Sequence, residues 1–263
     1  MSGGRKFHNT ESNNLPRGGE KTCALAVMVK SPRAGAVKTR LVPPLTSEEA
    51  AALSLCFLRD TLENVARVAH RTGARGVVVY TPENDRPFFD ELLPDDFHLL
   101  PQRGDSLGER LINATADLLH RGFGAVCLIG ADSPTLPPAT LAAAINFLTL
   151  SGDRRVVLGP CEDGGYYLIG LKRQHSQLFA GIEWSTERVL SQTLARAEEI
   201  GIGIELLPAW YDVDDARALR RVRDELLAAT ERSEFRRDKS FAAYKAEHTR
   251  NYLASLFERE DRL

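Results

Sequence analysis

The sequence predicts an α/β fold, a three-layer αβα sandwich around a mostly parallel central sheet. Three observations carry that expectation. Short apolar runs of strand length alternate with longer stretches of helical spacing, the pattern that puts helices on both faces of one sheet. Loops crowded with charged and glycine residues follow several of those runs, where ligands bind outside the carboxyl ends of parallel strands. The chain has 263 residues with 43% hydrophobic and 27% charged, enough for one domain of about 200 residues plus extensions.

The elements follow in order. Leu25 to Val29 is a short apolar run and reads as a buried first strand. Thr46-x-x-Glu49 is a capping box opening an amphipathic helix, with Ala50, Leu53, Phe57 and Val65 on one side. Gly76 to Tyr80 is a second buried strand, and Phe97 to Leu100 a third. Ser106 to His120 has helical spacing through Leu107, Leu111, Ala114 and Leu118. Ala125 to Ile129 reads as a central strand, and Pro138 to Leu150 as a helix with proline in its first turn. Val156 to Leu158 and Tyr166 to Leu171 are strands; Ser185 or Thr186 is expected to cap a helix reaching about Ile200. Ile204 to Leu207 is a last strand, and Asp214 or Asp215 starts the next helix.

Residues 1–21 are polar, with Gly, Asn and Ser throughout, and read as a disordered tail before the domain at 22–227. From Glu225 the chain turns strongly charged and helical. Phe235, Phe241, Tyr244, Tyr252, Leu253, Leu256 and Phe257 recur there among Arg and Glu. Residues 228–263 are therefore expected to form a helical extension that packs on the domain or on a partner chain, which admits a homodimer.

The formal net charge of −2 gives no support to a nucleic-acid or membrane-surface role. No apolar run approaches the roughly 20 residues needed to span a bilayer, and the N-terminus lacks a signal-peptide core. Cys23, Cys56, Cys127 and Cys161 are scattered without a C-x-x-C pair, which reads as reduced and cytoplasmic. Cys23 and Cys127 sit at or in apolar runs as core filler, whereas Cys161 lies beside acidic residues.

The densest chemistry follows the first strand, in V-M-V-K-S-P-R-A-G-A-V-K-T-R-L from Val27 to Leu41. Lys30, Arg33, Lys38 and Arg40 repel one another on a short loop, a cost that a bound polyanion removes. Gly35 lets the backbone approach phosphate oxygens. The expectation is a phosphate-binding loop; a solvated basic turn is the plain alternative.

Three acidic loops complement it. Asp132 follows the central strand in I-G-A-D-S-P, where an oxygen ligand suits Mg²⁺ or Mn²⁺; it can equally cap the turn before Pro134. Glu162, Asp163, Gly164, Gly165 and Tyr166 lie in G-P-C-E-D-G-G-Y-Y, which reads as a substrate-contacting loop or as a plain hairpin turn. In Y-D-V-D-D, alternation puts Asp212 and Asp214 on one side, so either can complete a metal site with Asp132, Asp212 being favoured. In P-Q-R-G-D-S-L-G-E-R, Gln102 offers a donor and an acceptor, and Gly104 and Gly108, flanking Leu107, leave room for a flat ligand.

Other chemistries lack their motifs. G-x-x-x-x-G-K-[ST], G-x-G-x-x-G after the first strand, H-E-x-x-H and G-x-S-x-G are all absent from the sequence. Together K-S-P-R-A-G-x-V-K-T-R-L, Q-x-G-D-x-L-G-E-R, I-G-A-D-S-P-T-L, G-P-x-E-D-G-G-Y-Y-L-I-G-L, F-x-G-I-x-W-S-T and the final D-V-D resemble the DUF2064 family of cofC-like glycosyltransferase-A proteins, also called radical-SAM/selenodomain-associated transferase 1. The resemblance runs from about Ala24 to Leu227 and implies the GT-A fold of nucleotide-diphospho-sugar transferases. Carried over by position, Lys30, Arg33, Lys38 and Arg40 resemble the phosphate-binding signature, Gln102 to Gly108 the base-reading loop, and Asp132 the metal aspartate. Asp132-Ser133-Pro134 departs from the D-x-D common in glycosyltransferases, which makes Asp212 or Asp214 more necessary.

Two reactions fit these residues. In nucleotidyl transfer a phosphorylated acceptor attacks a nucleoside triphosphate and releases pyrophosphate, with Lys38, Arg33 and Asp132 as the catalytic set. In glycosyl transfer from a nucleotide sugar, Glu162 or Asp163 serves as base for an acceptor hydroxyl. The basic loop favours the first, because a triphosphate carries more charge than a diphosphate. A nucleotide-binding scaffold without turnover is the third reading.

Overall fold

The computed structural model describes residues 22–94, 96–150, 152–232 and 242–257, and only the backbone of 228–232 and 257. The tail expected at 1–21 and the apolar residues Phe235 and Phe241 lie outside the described residues. Seven strands form one sheet: β1 (Cys23–Lys30), β2 (Arg75–Thr81), β3 (His98–Pro101), β4 (Ala125–Gly130), β5 (Arg155–Pro160), β6 (Tyr166–Leu171) and β7 (Gly203–Leu206). Their spatial order is β3-β2-β1-β4-β6-β5-β7. Among them β6 alone runs against the rest, pairing antiparallel with β4 and β5. The α/β class and the mostly parallel sheet are as the alternation of runs implies.

The helices are α1 (Ser47–Thr72), α2 (Arg86–Leu92), α3 (Leu107–His120), α4 (Pro138–Leu150), α5 (Val189–Glu199), α6 (Ala216–Arg232) and α7 (Glu247–Phe257). Pleating divides β1 between two cores. Leu25, Val27 and Val29 pack with Leu58, Leu62 and Val65 of α1 and with α4. Ala24 and Ala26 pack on the opposite face with Leu111, Ala114 and Leu118 of α3. Two capping boxes fix helix starts: Thr46 with Glu49 at α1, and Ser106 with Glu109 at α3.

One local expectation is corrected, one alternative is resolved and one element is added. The helix expected from Ser185 or Thr186 begins at Val189. Ser185 takes a left-handed φ of 65°, unlike the extended backbone of an N-cap, and the Thr186 hydroxyl is engaged with the Glu183 carbonyl at 2.7 Å. Of the two residues proposed to start the next helix, Asp215 does so, its carboxylate accepting from the Ala218 N–H at 2.7 Å. The short α2 had no periodic signal; it is about two turns, anchored by the fully buried Phe89.

The C-terminal helix α7 packs on the domain. Tyr244, Ala246 and Leu253 share a core with Leu41, Leu53 and Phe57 and with Leu219 and Val222 of α6. Its first turn is held by Asp60 of α1, a fully buried carboxylate that accepts from the His248 N–H at 3.0 Å, the Thr249 N–H at 2.8 Å and the Thr249 hydroxyl. Replacing Asp60 with Ala leaves these donors unmet and undocks α7. The expected loss is about 4.5 kcal/mol, about 1.5 kcal/mol for each of three charge-assisted bonds, read as a lower urea midpoint with faster amide exchange across 247–257. An unchanged midpoint would show that α7 holds its place without Asp60.

Candidate functional site

The site is built from loops at the carboxyl edge of the sheet. After β1 the chain turns through Gly35, at a left-handed φ of 72°, and reaches Lys38, also left-handed at φ 48°. Lys38 precedes a single 3-10 turn, Thr39–Leu41. Its side chain is only 5% exposed, and its ammonium lies 2.6 Å from Asp132 Oδ1 and 2.6 Å from Asp214 Oδ1. The ring of Phe57 lies 5.5 Å from the same nitrogen. Burial alone would lower the Lys38 pKa, but the two carboxylates outweigh it and hold the ammonium above its ordinary range.

Backbone pairing brings the acidic loops together. The Val213 N–H donates to the Asp132 carbonyl at 2.8 Å, which sets Asp212 and Asp214 on either side of that contact. The Glu162 N–H donates to the Trp210 carbonyl at 3.0 Å, tying the turn after β5 to the same segment. That turn is tight: Gly164 has φ 90°, and a Cβ there would lie 2.1 Å from the Glu187 carbonyl oxygen. The antiparallel β5–β6 pair confirms the hairpin, and the hairpin still carries Glu162, Asp163, Gly165 and Tyr166 to the lining of a cleft of about 540 Å³. The hairpin reading holds, and its turn lies along the cleft.

Asp212 and Asp214 line that cleft too. Burial together with Asp214 and Asp163 pushes the Asp212 carboxyl up to about 7. Asp214 goes the other way: burial would raise it, but Lys38 and Arg40 outweigh burial and hold it below its ordinary value. Asp212 has a folded pKa above its unfolded one, so the stability it contributes is complete below about pH 4 and lost as pH rises through about 7. We expect melting temperature in EDTA to fall across that window, and Asp212→Asn to remove the fall. A slope unchanged by Asp212→Asn would show that another group sets it.

The four cations of the basic loop do not act as one cluster. Lys30 Nζ donates to the Ala36 carbonyl at 3.0 Å, and Arg33 pairs with the buried Asp85 of the turn after β2. Lys38 joins the carboxylates, and Arg40 lines the cleft. Gln102 is a clamp: its amide nitrogen donates to the carbonyls of Val29 at 3.0 Å and Val79 at 2.8 Å, so only its oxygen is left for a ligand. Gly104 has φ 118°, and Gly108 is buried under the Trp184 indole, where a Cβ would meet Nε1 at 2.8 Å. Leu107, 45% exposed, reaches the cleft.

The structure adds residues that sequence reading gave no role. Trp184, Arg217 and Arg221 line the cleft. Arg221 donates to Glu162 at 2.6 Å and lies 3.8 Å over the Tyr211 ring, whose hydroxyl donates to Glu225. The signals were a W-S-T after β6 and two arginines four apart on the helix after D-V-D-D. Neither spacing is specific without a partner in view.

Groups that could hold a metal ion meet at the cleft. Cys161 Sγ and carboxylate oxygens of Asp163 and Asp212 lie within 4.8 Å of one another, and Asp132 and Asp214 already hold one cation, the Lys38 ammonium. No helix among the described residues is long and apolar enough to cross a membrane.

Comparison with known proteins agrees with this architecture. A protein from Desulfovibrio desulfuricans G20, provisionally assigned as a nucleotide-diphospho-sugar transferase, is 29% identical and superposes with a TM-score of 0.73, covering 91% of this chain and 98% of that one. CMP:2-keto-3-deoxy-manno-octonic acid synthetase, solved with CTP, shares the fold at 13% identity and a TM-score of 0.53, covering 80% of this chain and 99% of that one. So does 4-diphosphocytidyl-2C-methyl-D-erythritol synthase from Anaerococcus prevotii DSM 20548, at 10% identity and a TM-score of 0.52, covering 79% and 97% of the two chains. No curated protein matches the sequence. The family model described as "Uncharacterized protein conserved in bacteria (DUF2064)" matches residues 64–186. Residues 64–186 thus match the DUF2064 family model, within a fold shared with the nucleotide-diphospho-sugar transferase-like relative.

Proposed function

We propose that this chain is a metal-dependent nucleotidyltransferase that joins a nucleoside triphosphate to a small phosphorylated acceptor and releases pyrophosphate. The observation that carries the reading is the meeting of Lys38 with Asp132 and Asp214, 2.6 Å from each, beside a cleft floored by Asp212. Such a mixture of fixed cation and carboxylates suits a reaction in which charge moves between phosphate oxygens.

An acceptor phosphate oxygen attacks the α-phosphorus, and the bond to the bridging oxygen of pyrophosphate breaks. The attacking oxygen is already ionised, so no residue needs to remove a proton. Asp132, Asp212 and Asp214 would hold Mg²⁺ or Mn²⁺, which supplies Lewis-acid polarisation of phosphate oxygens when bound. Lys38 keeps its proton and offers fixed positive charge, and Arg40 adds a second charge at the cleft. Leu107 and the free oxygen of Gln102 face a base, while the turn from Glu162 to Tyr166 orients the acceptor. Cytoplasmic substrates and unpaired cysteines suit one another here.

Glycosyl transfer is the second reading, favoured by the provisional assignment of the Desulfovibrio relative as a nucleotide-diphospho-sugar transferase. One experiment separates them: the pure chain with Mg²⁺ or Mn²⁺ is screened against nucleoside triphosphates with phosphorylated acceptors, and against nucleotide sugars. Pyrophosphate release supports nucleotidyl transfer, and nucleoside diphosphate release supports glycosyl transfer. Binding of nucleotides with neither product would overturn both and leave a scaffold.

A further inference from the structure

We infer that Thr135 is a positioning residue: its buried hydroxyl sets the angle at which the Asp132 loop faces the Asp212–Asp214 segment. Thr135 lies in the I-G-A-D-S-P-T-L run after β4. It is fully buried and does not line the cleft. The segment from Trp210 to Asp215 is suspended between two loops. On the β5 side its backbone is fixed at Trp210, whose N–H donates to the Pro160 carbonyl at 3.0 Å and whose carbonyl accepts from the Glu162 N–H at 3.0 Å. On the β4 side the backbone makes one hydrogen bond among the described residues, from the Val213 N–H to the Asp132 carbonyl at 2.8 Å. A single hydrogen bond holds a distance but tolerates a wide range of angles, so it acts as a hinge.

Thr135 supplies the second contact. The Trp210 indole N–H donates to its hydroxyl oxygen at 3.3 Å, and that hydroxyl donates to the Tyr211 hydroxyl at 3.2 Å. The order of protons is set from the far end. The Tyr211 hydroxyl donates to the Glu225 carboxylate, which when ionised can only accept. The chain therefore runs one way, from Trp210 through Thr135 and Tyr211 to Glu225, and Thr135 must both accept and donate. Serine can do this and valine cannot. Linked bonds of this kind strengthen one another in a buried setting, and an unmade one is costly there.

Thr135 is itself firmly joined to Asp132. The Leu136 N–H donates to the Ser133 carbonyl at 3.0 Å, closing a turn across the residues between. The Tyr244 N–H holds the Thr135 carbonyl at 2.9 Å, so the stretch before α7 props the same node from behind. Asp132 needs such placement, because its Oδ1 and that of Asp214 meet one Lys38 ammonium, 2.6 Å from each. Tilting the loop about the Val213 bond would part the two carboxylates. The geometry stands by itself; only the effect on turnover rests on the proposed transfer reaction.

The test is amide exchange by NMR in the full chain carrying Thr135→Val, which keeps the branched shape and loses the hydroxyl. The Val213 N–H should exchange at least about tenfold faster than in the wild type. The Ser31 N–H, bonded to the Thr81 carbonyl at 2.8 Å, should keep its protection. Thr135→Ser should restore the Val213 amide. In the turnover assay Thr135→Val should lower kcat about a hundredfold and leave the KM for the nucleoside triphosphate within about threefold, and Thr135→Ser should recover most of the loss. Lost stability alone would not produce that split. If Thr135→Val fails to fold by circular dichroism, Tyr211→Phe breaks the same chain and carries the comparison. Unchanged Val213 exchange in the folded variant overturns the inference, and so does faster exchange with kcat intact. Faster exchange in a protein whose wild type releases no pyrophosphate leaves the positioning role standing and refutes the proposed reaction. Unchanged exchange beside wild-type pyrophosphate release does the reverse.

Discussion

Lys38→Met is expected to lower the melting temperature by about 5 °C and to cut transfer activity at least about a hundredfold. The substitution keeps an unbranched apolar stem against Phe57 and removes only the ammonium. Asp132 and Asp214 then face each other without the cation that each now meets at 2.6 Å. Breaking a fully buried ion pair by deleting one partner costs about 3–5 kcal/mol. Here the lysine is 5% exposed but the two carboxylates are 48% and 41% exposed, so water screens part of the loss and about 2 kcal/mol is the fitting figure. The left-handed backbone at φ 48° is retained, because methionine gains nothing there over lysine. A divalent ion should restore part of the stability by replacing the lost charge, and none of the activity. The check is a thermal melt of both proteins with and without millimolar Mn²⁺, beside a turnover assay. A melting temperature unmoved by the substitution would mean that the carboxylates do not need the lysine.

How much of this was legible beforehand depends on the range of the interaction. The strands were visible because Leu25 to Val29 and Ala125 to Ile129 are apolar on both faces of a central sheet position. The capping box at Thr46 was visible because its partners are three residues apart. Lys38 and Asp132 were expected to share a cleft, since both follow strands of one sheet, and their side chains meet at 2.6 Å. The form of that meeting was hidden. Lys38 takes a left-handed turn that its residue type does not favour, and Arg33 leaves the basic loop for Asp85, 52 residues away. Charge density in the loop pointed to a single polyanion site; Lys30, Arg33 and Lys38 each have a separate protein partner that no spacing reveals. Gln102 shows the same limit, because its amide reads equally as a base contact or as a clamp until the ends of β1 and β2 are seen beside it. The start of α5 was misplaced because Ser-Thr before a helical run is a cap signal only when the backbone is extended.

Asp132→Asn should leave the fold within about 0.5 kcal/mol of the wild type and reduce turnover by at least about a thousandfold. The reasons for the two halves are separate. The Asp132 backbone, not its carboxylate, anchors the D-V-D segment, through the Val213 N–H at 2.8 Å, and an asparagine keeps that carbonyl. The amide oxygen can still accept from Lys38, and Asp214 still balances the lysine charge at 2.6 Å. Stability therefore changes little. What vanishes is one of the negative charges that set the field of the cleft and would draw a divalent ion toward a phosphate. Asp214→Asn supplies the contrast. It removes the carboxylate that, after burial, does most to push Asp212 up, so the Asp212 carboxyl should fall from about 7 toward its ordinary value. Both variants are to be measured by circular dichroism, by Mn²⁺ titration and by turnover. Turnover of Asp132→Asn within tenfold of the wild type would remove this carboxylate from the chemistry, and leave it as a partner of Lys38 alone.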